Sequence, residues 1–345
     1  MRWAWLRHGT AHGERAPGDD AAIVNPATWA SAHELIALRR HADAIALRGA
    51  GPARAQLGGE HLSRFRGRGM DYQESRIYSS GDDARSMDWR VTARTGVAHV
   101  KVYQEERERP VVFGIDFGAG MFFASRGALK SVVAVRCAAL LAWSAAGSGD
   151  RVGASLFNGE CRELAPRGGR HGVLQLIHHL VAHSDPRRAM DGAGADAGAG
   201  ERGGLGAALL RMRRVSRPGS LIVLIGDFYG LDDDCDRHLQ WLRERNDMLA
   251  LQIVDPLEVA PPRPARYGVV AGGEAGVLDL RSERTRRAYA QYFARHHAAV
   301  AAAMQRHAIG LLRVTTDADT VAQLRRHFAP RAPRAPRRAE PRLAA

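Results

Sequence analysis

Four carboxylates crowd into one short stretch of this chain: Asp71, Glu74, Asp82 and Asp83. Acids this close can gather a divalent cation and activate water for hydrolysis of a phosphate ester or similar bond. The same stretch continues through Asp88, Glu105 and Glu106, and it interleaves them with Arg76, Arg85, Arg90, Arg94, Arg107 and Arg109. Opposite charges so finely mixed give each carboxylate a guanidinium within reach, which keeps it ionised and engaged. An ion-pair network fastening this segment to the rest of the fold is therefore the favoured reading. A Mg²⁺-dependent hydrolase or nuclease using Asp71, Glu74, Asp82 and Asp83 is the alternative. Tyr78 and Trp89, in the same stretch, would either anchor a partner or pack the segment down, since aromatic and Arg side chains dominate interface hot spots.

A second constellation is set by position rather than by density. Val111-Val112-Phe113-Gly114-Ile115 is an apolar run that ends on Asp116, and Leu221–Ile225 is another that ends on Gly226-Asp227. In open α/β sheets, ligands are met at the C-terminal ends of strands. The competing role for both carboxylates is to cap the helix that follows. His179 and His183 have the i, i+4 spacing of a metal pair, but no Glu follows His179 and no third ligand is in view, so a solvated helix face is expected. Cys137, Cys161 and Cys235 are far apart and form no CxxC, which argues against a disulfide framework or zinc ribbon and for a reducing cytoplasm.

The elements that must position these residues alternate. After Val111–Phe117 come a helix over Leu129–Ala145, a strand over Val152–Phe157, and a segment Cys161–Leu164 that can pair back across Asn158-Gly159. Helices are predicted over Val173–His183, Leu205–Val215, Asp232–Arg245, Ser282–His307 and Thr320–Phe328, and strands over Leu221–Ile225, Met248–Val254 and Leu311–Thr315. A small hairpin is expected around Gly272-Gly273, and an earlier helix over Ser31–Leu47. This alternation implies an α/β fold: a mostly parallel sheet of five or six strands with helices on both faces. Neither GxGxxG nor GxxxxGK[ST] follows the first strand, which excludes the usual dinucleotide and P-loop enzymes.

Composition sets outer bounds. The chain has 345 residues and a formal charge of +13, carried by 48 Arg and only two lysines, Lys101 and Lys130. Arg, Ala and Gly enrichment together suggest codon bias, and part of the excess lies in the tail from Arg331 to Arg342, so binding of nucleic acid by an Arg-rich surface is not the expectation. No secretory leader is read at the N-terminus. No stretch is read as long and apolar enough to span a bilayer, because Arg136 interrupts the best one, Ser131–Ala146. Residues 1–30 are expected to be disordered. So is the Arg/Pro-rich tail, 329–345, and Asp191–Gly204 is expected to be a mobile linker.

The block Gly69-x-Asp71-x-x-Glu74-x-Arg76-x-Tyr78-x-x-Gly81-Asp82-Asp83-x-Arg85-x-x-Asp88-Trp89-Arg90, followed by Ala93-Arg94, Lys101-x-Tyr103 and Glu105-Glu106-Arg107-Glu108, resembles the signature of the family called domain of unknown function 58. The resemblance covers roughly residues 31–328. It implies a family-specific segment over 31–110 and a von Willebrand factor A-like domain over 111–328. Asp116-Phe117-Gly118-Ala119-Gly120 resembles the first loop of such a domain, where a D-x-S-x-S motif, a second-loop Thr and a third-loop Asp hold a divalent cation with hard oxygen ligands. Here Gly118 and Gly120 replace both serines, Arg202-Gly203-Gly204-Leu205 supplies no Thr, and Asp227 keeps the third-loop acid. The resemblance thus implies a degenerate metal site of Asp116 and Asp227, with Mg²⁺ bound weakly or not at all. It also implies a non-enzymatic adaptor that works with a MoxR-type AAA+ ATPase and an unknown protein client. Its contact face would be Asp116, Gly118, Gly120 and Asp227.

Overall fold

The computed structural model describes residues 4–5, 25–45, 47, 70–79, 82–83, 86–105, 108–158, 161–187, 204–271 and 274–328. The expected Asp191–Gly204 linker up to residue 203, the tail from 329, and most of the leader before residue 25 lie outside these residues. In chain order the elements are β1 (Ala4–Trp5), α1 (Ala32–Ala37) running into a 3-10 stretch (Leu38–Ala44), β2 (Met70–Ile77), α2 (Trp89–Thr95), β3 (His99–Glu105), β4 (Pro110–Asp116), a 3-10 turn (Ala119–Phe122) and α3 (Lys130–Gly147). Then come β5 (Arg151–Phe157), β6 (Arg162–Arg167), α4 (Gly169–His183), α5 (Leu205–Val215), β7 (Leu221–Gly226), α6 (Asp233–Arg245), β8 (Asp247–Val254) and α7 (Pro256–Val259). The chain closes with β9 (Arg266–Ala271), β10 (Glu274–Asp279), α8 (Glu283–Arg306), β11 (Gly310–Thr315) and α9 (Thr320–Phe328).

The main sheet runs β11-β8-β7-β4-β5-β6. Every neighbouring pair is parallel except β5 and β6, which are antiparallel. Strands buried on both faces must be apolar throughout, and their side chains must alternate between two cores. Val111, Phe113 and Ile115 of β4 join one core, with Leu221, Val223 and Ile225 of β7 and with α3, α4 and α9. Val112, Ile222 and Leu224 point to the other, under α5, α6 and α8. The chain leaves β4 toward β5 and β6, then returns to β7 on β4's other side. The direction of winding therefore reverses between β4 and β7, the place where such sheets open a crevice.

α3 is buried almost all round, from Lys130 to Ala145 with only Arg136 outside the set. By length and composition it does meet the requirement for crossing a bilayer, contrary to the sequence reading, but 83% of it is buried inside the protein. That is the signature of a core helix.

Two further expectations need correcting. Residues 25–30 are ordered rather than disordered: the Trp29 indole donates to the Val181 carbonyl at 3.0 Å, and Ala30 is buried. The stretch from Ser31 onward is no part of a separate segment, because Leu35, Ala42 and Ile45 sit in the main core. Its helix is α only to Ala37 and then tightens to 3-10. Ser31 caps it by accepting the Glu34 N–H at 3.1 Å, and Trp143 and Ser144 of α3 donate to the Leu35 and Ile45 carbonyls. What stands apart is the ribbon β2–β3, an antiparallel pair carrying α2. The hairpin β9–β10 forms a small sheet with β1.

Candidate functional site

β4 and β7 deliver Asp116 and Asp227 to the crevice side by side, and each is only 6–7% exposed. The approach needs Gly226, since a Cβ there would lie 2.8 Å from the Asp116 Cβ. Asp116 Oδ1 accepts the Gly118 N–H at 2.8 Å and the Asn158 side-chain amide at 2.7 Å. Asp227 Oδ1 accepts the Tyr229 N–H at 3.2 Å. Both carboxylates thus close tight turns at their own strand tips. Neither caps a helix as the competing role required: α3 has no side-chain cap, and α6 is capped by Asp232. Backbone strain marks the same place. Asn158 and Phe228 adopt φ of 59° and 61°, a conformation Asn tolerates but a buried Phe does not adopt readily.

Above these carboxylates is a cavity of about 40 Å³, room for more than a single water. Its walls are aromatic: Phe123, Tyr229, Tyr289, Tyr292 and Phe293. Burial, followed by the negative charge of Glu258, raises the phenols of Tyr229, Tyr289 and Tyr292 and keeps them protonated. The Tyr289 hydroxyl is buried with no hydrogen-bond partner among the described residues. At the inner end, Lys130 and Glu258 form a buried ion pair. Burial pushes the Glu258 carboxyl up while Lys130 pulls it the other way. Glu258 Oε2 also accepts the Asp255 N–H at 2.9 Å, and Asp255 Oδ1 accepts the Leu257 N–H at 2.9 Å. Asp255 further ties the loop before α3 in place, accepting from the Ser125 N–H at 2.7 Å and from the Thr316 hydroxyl at 2.9 Å. α8 closes the other side. His296 stacks on Tyr229, and His297 Nε2 donates to the Glu258 carbonyl at 3.2 Å.

The charged block lies elsewhere. Arg76 and Asp82 pair at 2.5 Å, and Asp82 also accepts the Ser79 N–H at 2.8 Å. The Arg76 hydrogen bond, then that of Ser79, lowers the Asp82 carboxyl. Asp88 accepts the Ser75 hydroxyl at 2.6 Å and caps α2 through the Val91 N–H. These contacts close within the ribbon, whereas Arg109 at the end of the block does fasten to the main sheet, pairing with Asp247 of β8 at 2.8 Å. The side chains of Asp71, Glu74 and Glu105, and all of Gly81, Arg85 and Glu106, lie outside the described residues. Asp83 and Arg90 are exposed. Trp89 does not pack the segment down: it is 68% exposed, and Tyr78 is 39% exposed. Among the described residues no group of three His, Cys, Asp or Glu side chains is placed to hold a metal. His183 is not on a solvated face. It is buried, tilted against the Phe117 ring at 5.3 Å.

The family model described as "Protein of unknown function DUF58" matches residues 74–299. The chain belongs to the DUF58 family. Similar proteins include uncharacterized proteins of Mycobacterium bovis (Mb1516) and Mycobacterium tuberculosis (Rv1480). Each is 33% identical over 281 residues, covering 80% of this chain and 84% of the relative. Solved structures similar to this DUF58 chain include BatB from Bacteroides thetaiotaomicron, with a TM-score of 0.35, 15% identity, and coverage of 64% of this chain and 96% of that one. A von Willebrand factor type A protein from Catenulispora acidiphila gives 0.32 and 12%, covering 68% and 44%. The von Willebrand A-like character of the DUF58 fold is read from its own features: a parallel sheet with one antiparallel edge strand, and acids at the two central strand tips.

Proposed function

We propose that this DUF58 protein is a non-enzymatic adaptor that uses the strand-tip face of Asp116, Gly118, Gly120 and Asp227 to dock onto a MoxR-type AAA+ ATPase of the cytoplasm. In that role it supports assembly or activation of a client complex. The observation that carries the reading is the crevice itself. It opens at the switch point of the sheet, yet its two carboxylates are each bound to backbone amides of their own loops rather than set as an acid and base around a reacting atom. The ATPase as partner is supported by the family resemblance of the ribbon block.

The donor set favours a face that works without a resident cation. Mg²⁺ demands near-octahedral oxygen coordination. Gly118 and Gly120 offer no hydroxyl, and Asn158 turns its N–H side, not its oxygen, to Asp116. A side chain at Gly120 would begin 2.6 Å from Asp227 Oδ2, so the carboxylate stands where a serine ligand would start.

The test is capture of the ATPase from native cells by the wild-type chain and by the Asp116→Ala/Asp227→Ala double variant, with Mg²⁺ and with EDTA. Capture that fails with the double variant and ignores EDTA is the expected result. Sensitivity to EDTA would restore a metal to the site. Failure of the wild type to capture any AAA+ ATPase would sink the reading.

A further inference from the structure

We propose that the crevice receives a cationic side chain, a guanidinium group, from the docking partner. The inference rests on the docking-face reading above and names the chemistry that face recognises.

Three features of the recess converge on this ligand. Its lining includes the carboxylates of Asp116 and Asp227, and the only cation there among the described residues, Lys130, is already matched by Glu258. An anionic group entering here would meet like charge in a desolvated place, which disfavours its binding. The walls include the rings of Tyr292 and Phe293, and of Tyr229, one face of which is taken by His296; aromatic rings attract cations, Arg more often than Lys. A planar guanidinium with five N–H donors can meet a carboxylate and lie on a ring at once, which a point-charge ammonium does less well. The third feature is Tyr289, which lines the same cavity and whose buried hydroxyl has no hydrogen-bond partner among the described residues. The cavity admits the tip of a side chain and not a folded segment, so recognition is of one residue.

The recess also explains why losing the two loop hydroxyls need not abolish binding. A metal at a strand tip presents positive charge to an acidic group of a partner. Hydrogen-bonded carboxylates without a metal present negative charge. The partner residue recognised here is then of the opposite sign.

The test uses the full chain labelled with nitrogen-15 and titrated with N-acetyl-arginine amide, with N-acetyl-glutamate amide as the control. Saturable shifts of the Gly118 and Gly120 amides and of the Asn158 side-chain amide are expected with the arginine probe only. Affinity should fall about tenfold or more in Asp227→Asn and in Tyr292→Ala. Tyr292 is 40% exposed, so its removal leaves the core filled and the comparison stands even if the Asp227 variant does not fold. No saturable response to the arginine probe, an equal response to both probes, or a response to the glutamate probe that needs Mg²⁺ would each overturn the proposal. Adding the arginine probe to the ATPase capture separates the two claims. Release of the ATPase supports both. Capture that ignores the probe yet fails with Asp227→Asn overturns the guanidinium and leaves the docking face. Arginine binding with no ATPase captured overturns the adaptor reading and leaves the recess as a cation site.

Discussion

His296 lies flat on Tyr229, ring centroids 3.8 Å apart and planes 6° from parallel, while its Nε2–H donates to the Asp227 carbonyl at 2.8 Å. The stack fixes α8 against the tip of β7, and burial of the ring, against the opposing pull of Asp227, disfavours its protonated form.

Acid should therefore loosen this corner. Burial lowers the folded-state values of His296 and His297, the latter to about 4 from 6.5. Between those two values the unfolded chain holds more protons than the folded one, so stability is full above about 6.5 and falls as pH drops toward about 4. Full conversion of the His297 shift would be about 3 kcal/mol; its partial exposure brings the expectation to about 1–2 kcal/mol. Urea midpoints across this window should fall less in His297→Gln than in wild type. Parallel curves would remove His297 from the account.

Lys130→Met should cost about 3–5 kcal/mol, because it strands the Glu258 carboxyl in a place where burial already raises it. The double variant with Glu258→Gln should recover most of that loss, since no unpaired charge is left. Equilibrium unfolding of both decides it, and a double variant no better than the single would refute the pair as the cause.

Restoring a hydroxyl at Gly120 should not restore a metal site. Gly120→Ser forces the Asp227 carboxylate aside, an overpacking change worth about 1–3 kcal/mol. The melting temperature should drop and Mg²⁺ should not raise it again. A rise on adding Mg²⁺ would show that the crevice still assembles a cation shell.

Trp89→Ser should change stability by no more than about 0.5 kcal/mol, as exposed positions do. Asp88→Ala, one residue earlier, should cost about 1 kcal/mol through loss of the α2 cap. Thermal unfolding of the two side by side separates an aromatic held out for a partner from one that packs the ribbon. A large loss from Trp89→Ser would favour packing.

Much of the fold was legible because its signals are local. Leu205–Val215 and Thr320–Phe328 begin and end where helical spacing says, and Ser282 caps α8 by accepting the Thr285 N–H at 3.1 Å. Asp116 and Asp227 were legible because an apolar strand must end on something. The rest of the crevice was not, since Asn158, Tyr229, Glu258, Tyr289 and His296 come from four separate stretches that meet only after the sheet has wound. One clue was present in Lys130. It is one of two lysines among fifty basic residues, and it opens the most apolar helix of the chain, where an unpaired charge has no place. The ribbon misled for the opposite reason. Alternating charge carried no information on which pairs would close inside the ribbon, as Arg76 and Asp82 do, and which would reach the sheet, as Arg109 and Asp247 do, and Trp89 ended outside.

β6 gives the main sheet a finished border. It carries exposed Arg162, Glu163 and Arg167, and Pro166 within it has no N–H to donate. Another strand could be stitched onto that margin only by burying charge. On that side the molecule is closed to growth by backbone pairing, so any companion there must be held by side chains alone.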